Sequence, residues 1–184
     1  MSTIKVEELQ HISNSNNSVS IASDSSVSLK HSGSTKLATT ATGVSVTGTL
    51  TGSVDLSGLL KEGVNITAGK LSDNTNIDLE NGMVHLFTTA ETTTSTPNIR
   101  FSSSTSLDSS MNVGEAISVT IITTAAAAGY SAQLTIDGAA VTENWVGGSA
   151  PSAGGSSGVD IYSYTIIKTA SATFTVIGNL SKTS

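Results

Sequence analysis

Apolar side chains in the first half of this chain come in pairs spaced two apart. Val19 with Ile21, Val27 with Leu29, Val44 with Val46, and Val54 with Leu56 each place two apolar residues on one face of a short strand. Turn residues stand between the pairs: Asp24-Ser25-Ser26, His31-Ser32-Gly33-Ser34, Gly43, Gly48 and Gly52. The spacing continues in Val64 with Ile66 and Ile77 with Leu79, with turn signals at Asp73-Asn74 and Asn81-Gly82. One or two apolar residues per strand cannot bury enough surface to offset the ordering of the chain. Residues 13–82 therefore read as a thin β-rich shaft or stem that needs neighbours. Three identical chains wound together would supply them, each giving a narrow apolar stripe to a shared axis. A flexible Ser/Thr linker is the alternative, and it has no need of the alternation.

Residues 83–184 carry longer runs. Val84-His-Leu86-Phe87 opens them, Ile99-Arg-Phe101 follows Pro97, and Ala116–Thr124 (AISVTIITT) is a strong β pattern. Tyr130–Ile136 is the next expected strand, Asp137-Gly138 a hairpin turn, Val141–Val146 its return, and Val159–Lys168 and Ala172–Ile177 the last two strands. Four alanines before Gly129 are too few for a helix, so Ala125–Gly129 reads as a loop. All seven aromatic residues lie at or after Phe87, so a conventional core is possible only here. The predicted class is all-β: an extended intertwined N-terminal shaft followed by a C-terminal β-sandwich or jelly-roll-like domain over 83–184. Ahead of both, residues 1–12 hold Ile4, Val6, Leu9 and Ile12 in the one charge-dense stretch. They read either as a segment docking onto another protein or as a tail folded back on its own domain.

Composition changes this picture in one direction. Charged residues are only 12%, and Ser and Thr together supply 59 of 184 positions. Hydroxyls fill the polar role, and Thr suits a pleated surface. Sparse charge argues against disorder of the whole chain. The net charge of −6 argues against nucleic acid as the partner. With no cysteine there is no disulfide. No stretch approaches the ~20 apolar residues of a membrane helix, and the acidic opening lacks the apolar run of a signal peptide. The expectation is a soluble protein made in the cytoplasm, without membrane insertion.

Motifs for chemistry are missing. His11, His31 and His85 are not at metal-ligand spacing. Gly63 to Lys70 has five residues between its glycines and Leu71 where a phosphate loop needs Ser or Thr. Asp73–Asp78 has oxygens without the calcium-loop spacing or glycine. Asp137 and Glu143 are two carboxylates flanking a hairpin, a weak basis for glycoside hydrolysis. Sequons at Asn16, Asn65 and Asn179 carry no meaning without a secretory signal. The expectation is no catalytic residue, no cofactor and no metal. The informative stretch is Trp145-Val-Gly147-Gly148-Ser-Ala150-Pro151, then Gly158-Val-Asp160-Ile-Tyr162-Ser-Tyr164. Trp145 ends a strand and buries a large ring, Gly147 and Gly148 turn the chain, and Pro151 fixes the far side. Ala153–Gly158 reads as a loose loop. On the strand that follows, Asp160, Tyr162 and Tyr164 share one face.

That stretch resembles a motif in β-rich domains of phage tail-fibre and virion proteins, in which a Trp-x-Gly-Gly-x-Ala-Pro turn precedes a Gly/Ser loop and an Asp-x-Tyr strand. Trp145, Gly147, Gly148, Ala150, Pro151, Asp160 and Tyr162 carry the match. Lys36–Leu50 is similar to the shafts of such proteins, and Met1-Ser-Thr-Ile-Lys-Val is similar to openings of fibre-like proteins of marine and cyanobacterial phages. The resemblance implies a virion protein: a homotrimeric fibre or spike, joined to other tail or capsid proteins through its N-terminus, with its C-terminal domain outward and host-surface glycans as a candidate target of adhesion. A capsid decoration protein (cement or head fibre) is the second expectation. A carbohydrate-binding module using Trp145, Asp160 and Tyr162 is the third. Exposed tips at Ala125–Gly129 and Ala153–Gly158 are the expected places of contact.

Overall fold

The computed structural model describes residues 8–10, 17–50, 55 and 57–184. Of the expected docking residues, Ile4, Val6 and Ile12 lie outside the described residues, as do Val54 and Leu56. Among the described residues the structure is all-β apart from one four-residue α-helix and two 3-10 turns, and the chain forms two compact units, Met1–Gly58 and Leu59–Ser184.

The N-terminal unit is one antiparallel sheet of five strands in sequence order: β1 (Glu8–Gln10), β2 (Asn17–Ile21), β3 (Val27–His31), β4 (Ser34–Thr40) and β5 (Gly43–Val46). The two-apart pairs of the sequence become rows across it. Leu9, Val19, Leu29, Leu37 and Val46 stand opposite one another on five successive strands. Ile21 opposite Val27, and Thr39 opposite Val44, extend the same face. The other face carries Ser20, Ser28, Ala38 and Ser45. None of the described residues of this unit is buried. Leu29 is 44% exposed and Leu9 53%.

The C-terminal unit contains two sheets. One has six strands in the order β13-β15-β14-β10-β8-β6, the other four in the order β12-β11-β9-β7. Their ranges are β6 (Val64–Thr67), β7 (Asn76–Asp78), β8 (Val84–Ala90), β9 (Asn98–Arg100), β10 (Ala116–Thr124), β11 (Thr135–Ile136), β12 (Ala139–Ala140), β13 (Glu143–Trp145), β14 (Val159–Ala170) and β15 (Thr173–Lys182). From β6 to β11 the chain alternates between the sheets. Each strand therefore lies parallel to the one two places before it: β6 with β8, β8 with β10, β7 with β9, β9 with β11. The crossover that a parallel pair requires is here a strand of the facing sheet. The hairpin β14–β15 then closes the larger sheet by pairing antiparallel to β10. A jelly roll is antiparallel throughout; these sheets are mixed.

One core joins both sheets. Ile77, Ile99 and Ile136 form an aliphatic ladder in the small sheet, facing Phe87, Val119, Ile121, Tyr162, Tyr164, Ile166 and Val176 of the large one. Leu71 and Leu79 belong to this core. The stretch from 59 to 82, read from the sequence as the end of the shaft, therefore packs with the C-terminal unit, and the units divide between Gly58 and Leu59 rather than at 82. The cause is Ile77 and Leu79. Their two-apart spacing continues the shaft pattern, but Ile77 lies in β7 and Leu79 in a 3-10 turn (Leu79–Asn81) over the core.

Candidate functional site

The strand β14 carries most of the residues singled out by the sequence. Its even positions Asp160, Tyr162, Tyr164, Ile166 and Lys168 are all buried. The face that was expected to offer Asp160 and Tyr162 to a sugar is therefore the core face. Both ends of the row are charged, which hides its apolar character from a pattern search.

Asp160 is fully buried, and both of its carboxylate oxygens accept from the Gly155 amide, at 3.0 and 2.8 Å. The two glycines before it are required by the close approach. A Cβ on Gly154 would stand 2.4 Å from the Ala126 carbonyl oxygen, and one on Gly155 2.7 Å from Asp160 Oδ1. Ala153–Gly158 is consequently not loose. Gly154 donates to the Ala127 carbonyl, Ala125 to that of Gly158, and the Ser157 amide to Ser184 Oγ. The two loops expected as separate exposed tips are tied to each other.

Trp145 stands where the sequence placed it, at the end of β13. The reason its ring fits is a glycine on the neighbouring strand of the sheet. Gly178 is opposite both Trp145 and Tyr164 in the sheet, so the row reads Trp145, Gly178, Tyr164. The indole lies across the bare glycine and meets Tyr164 edge-on, with ring centroids 6.0 Å apart. Gly147 and Gly148 follow in left-handed conformations, φ 87° and 83°, which any other residue adopts at a cost of about 1–2 kcal/mol. Gly148 donates back to the Trp145 carbonyl at 2.9 Å and closes the turn. The turn and Pro151 border an open cleft of about 270 Å³ lined also by Ser149, Ser152, Asn179 and Lys182. Of the three residues expected to bind sugar, Trp145 alone reaches it.

The candidate carboxylates are engaged by backbone amides or by neighbouring cations. Asp137 accepts from Leu107 and Asp108 at 2.7 and 3.0 Å, and Glu143 from Leu134 at 2.5 Å. Asp73 pairs with Lys70 at 3.4 Å and Asp78 with Arg100. The tyrosines are held protonated: burial pushes the Tyr162 phenol up to about 12 and Tyr164 higher still. Among the described residues no group of three or more His, Cys, Asp or Glu is placed to hold a metal ion, and no helix is long and apolar enough to cross a membrane.

Lys168 and His85 are among the buried polar residues that the sequence reading missed. Lys168, on the core face of β14, donates to the Met111 carbonyl at 2.9 Å and pairs with Asp108 at 2.8 Å. Asp108 is thereby held below the usual carboxylate range, first by that bond and then by the Ala172 amide. His85 accepts from Asn65 on one ring nitrogen and donates to the Gly82 carbonyl with the other. Little local marks either residue, because Asn65 lies 20 positions from His85 and Asp108 60 from Lys168.

Comparison with protein-family models, curated proteins and solved structures found no match.

Proposed function

We propose that this chain is a non-enzymatic structural protein of a bacteriophage particle: a short homotrimeric fibre or spike joined to the particle through its N-terminal segment. The observation that carries the reading is the N-terminal sheet. Ordering each residue costs about 1–2 kcal/mol, and a sheet with one apolar face and no buried side chain among its described residues recovers too little of it alone. Copies of itself would supply the missing cover. Five strands spaced about 4.8 Å apart make a sheet roughly 19 Å wide. Three such sheets in a triangle lie about 5.5 Å from their common axis, close to half the ~10 Å at which sheets pack. A face-to-face pair would also cover the row but would leave the edges β1 and β5 of every copy open; in the triangle each edge meets a neighbour's. Trp145–Tyr162, with its resemblance to virion proteins, supports the placement on a phage.

The test is the mass of the full chain by light scattering at micromolar concentration, together with immunogold labelling of purified particles. Three copies and particle-bound gold are expected. A monomer, or gold absent from the particles, overturns the reading. The cleft beside Trp145 favours glycan adhesion as an added role: its lining offers hydroxyls, the Asn179 amide and one ammonium next to an indole.

A further inference from the structure

The two sheets of the C-terminal unit treat their outer faces in opposite ways. The four-stranded sheet presents polar groups that bond one another. Asn98 donates to Asn76 at 2.9 Å, Thr135 to Asn98 at 2.9 Å, and Arg100 pairs with Asp78 on the same face. This is how a sheet faces water.

The six-stranded sheet does the reverse. Ile66, Leu86, Ile122 and Ile161 stand in one row across β6, β8, β10 and β14, and Val64 and Val84 begin the next. Ile66 is 65% exposed and Val64 47%. The rest of that face is Ser, Thr, Asn and Ala with further aliphatics, and no Asp, Glu, Lys or Arg stands on it. The charges that β13, β14 and β15 possess, Glu143, Asp160, Lys168 and Lys182, all stand on the opposite side of the register, Lys182 exposed at the end of its strand. Solvent-facing strands ordinarily carry charge, which also discourages unwanted pairing. Six strands at about 4.8 Å and about seven residues at about 3.4 Å give a face on the order of 600 Å². That is near the ~800 Å² that each partner contributes to a stable interface.

We infer that the outer face of this six-stranded sheet is a contact between C-terminal units of neighbouring copies of the same chain. The occupant follows from the charge pattern. A face without charge calls for no oppositely charged partner surface, and close to a symmetry axis, where like residues of the copies approach one another, aliphatics and hydroxyls bring no like charges together. The apolar row of the N-terminal sheet, Leu9, Val19, Leu29, Leu37 and Val46, is likewise uncharged. The inference rests on the homotrimer reading and locates a second contact within it.

The chain has no cysteine, so one substitution gives a unique thiol. Thr120→Cys lies mid-face and Ile66→Cys at its edge; Ser103→Cys, exposed beyond β9, is the control. Each full-length variant is treated at micromolar concentration with a short bis-maleimide and resolved on a denaturing gel. Cross-linked dimer from Thr120→Cys or Ile66→Cys is expected at roughly a hundredfold the control's yield, since facing thiols have millimolar effective concentration. If light scattering shows a trimer and neither thiol exceeds the control, the inference is overturned and the trimer stands. If the protein is a monomer, both fall.

Discussion

His85 is buried in its neutral form, and its two bonds say why. The ring accepts from Asn65 at 3.2 Å and donates to Gly82 at 3.0 Å, so a second ring proton would displace a donor. Burial lowers its pKa below the ordinary 6.5, against weaker opposition from the Gly82 carbonyl and Asp78. The unfolded chain then binds more protons than the folded one as pH drops through 6.5, so this stability is complete above that value and lost below it. Asp108 and Glu115, with lowered pKa values, lose theirs only near and below pH 4. The melting temperature should fall between pH 7 and pH 5, and His85→Gln should flatten that fall while lowering stability at pH 7. Equal slopes for the two proteins in a thermal melt series would refute the assignment.

At the scale of elements, Asp137 links two pieces of the small-sheet side. It occupies a left-handed position, φ 52°, in the turn between β11 and β12, and its carboxylate caps the helix α1 (Leu107–Ser110) through the Leu107 and Asp108 amides. Asp137→Ala removes these two bonds, leaving Ser106 as the N-cap, and suits that conformation poorly, and should cost about 1–2 kcal/mol. Asp137→Asn, which tolerates the conformation and keeps one acceptor, should cost less. Urea unfolding measures both, and an alanine variant as stable as the parent would contradict the capping role.

Elements were legible in the sequence where their determinants are local. Ala116–Thr124 is a strand with those bounds, and Asp137-Gly138 is a hairpin turn. Val19 with Ile21 and Val27 with Leu29 lie in adjacent strands on one face. Tyr130–Ile136 was read as one strand, yet only Thr135–Ile136 pairs, because the Ser131 amide goes to the Tyr162 hydroxyl and that of Leu134 to Glu143. The parallel pairings left no trace, since they join segments about twenty or more residues apart. Of the Trp145 turn, the ring and glycines were legible and Gly178 beneath the indole was not.

For the whole molecule, the two units differ in what holds them. The C-terminal unit encloses its own core, whereas the N-terminal sheet has no buried residue among those described. A unit stable only when assembled melts lower as the protein is diluted. Calorimetry at falling concentration should show an early transition, carried by the N-terminal sheet, moving to lower temperature. Transitions that stay fixed over a hundredfold dilution would contradict self-assembly through that sheet.

The alternation of the chain between two sheets has a consequence for its synthesis. β14 is a central strand of the six-stranded sheet, yet it and β15 leave the ribosome after β6, β8 and β10, which form the other half. Until they emerge, β10 offers an unpaired edge and the aromatic half of the core, Tyr162 and Tyr164, does not exist. Long-range parallel pairings form slowly, and open strand edges in incomplete chains invite aggregation. Translation that stalls before Val159 therefore yields a sticky fragment with an open edge, and productive folding of this unit waits for its last hairpin.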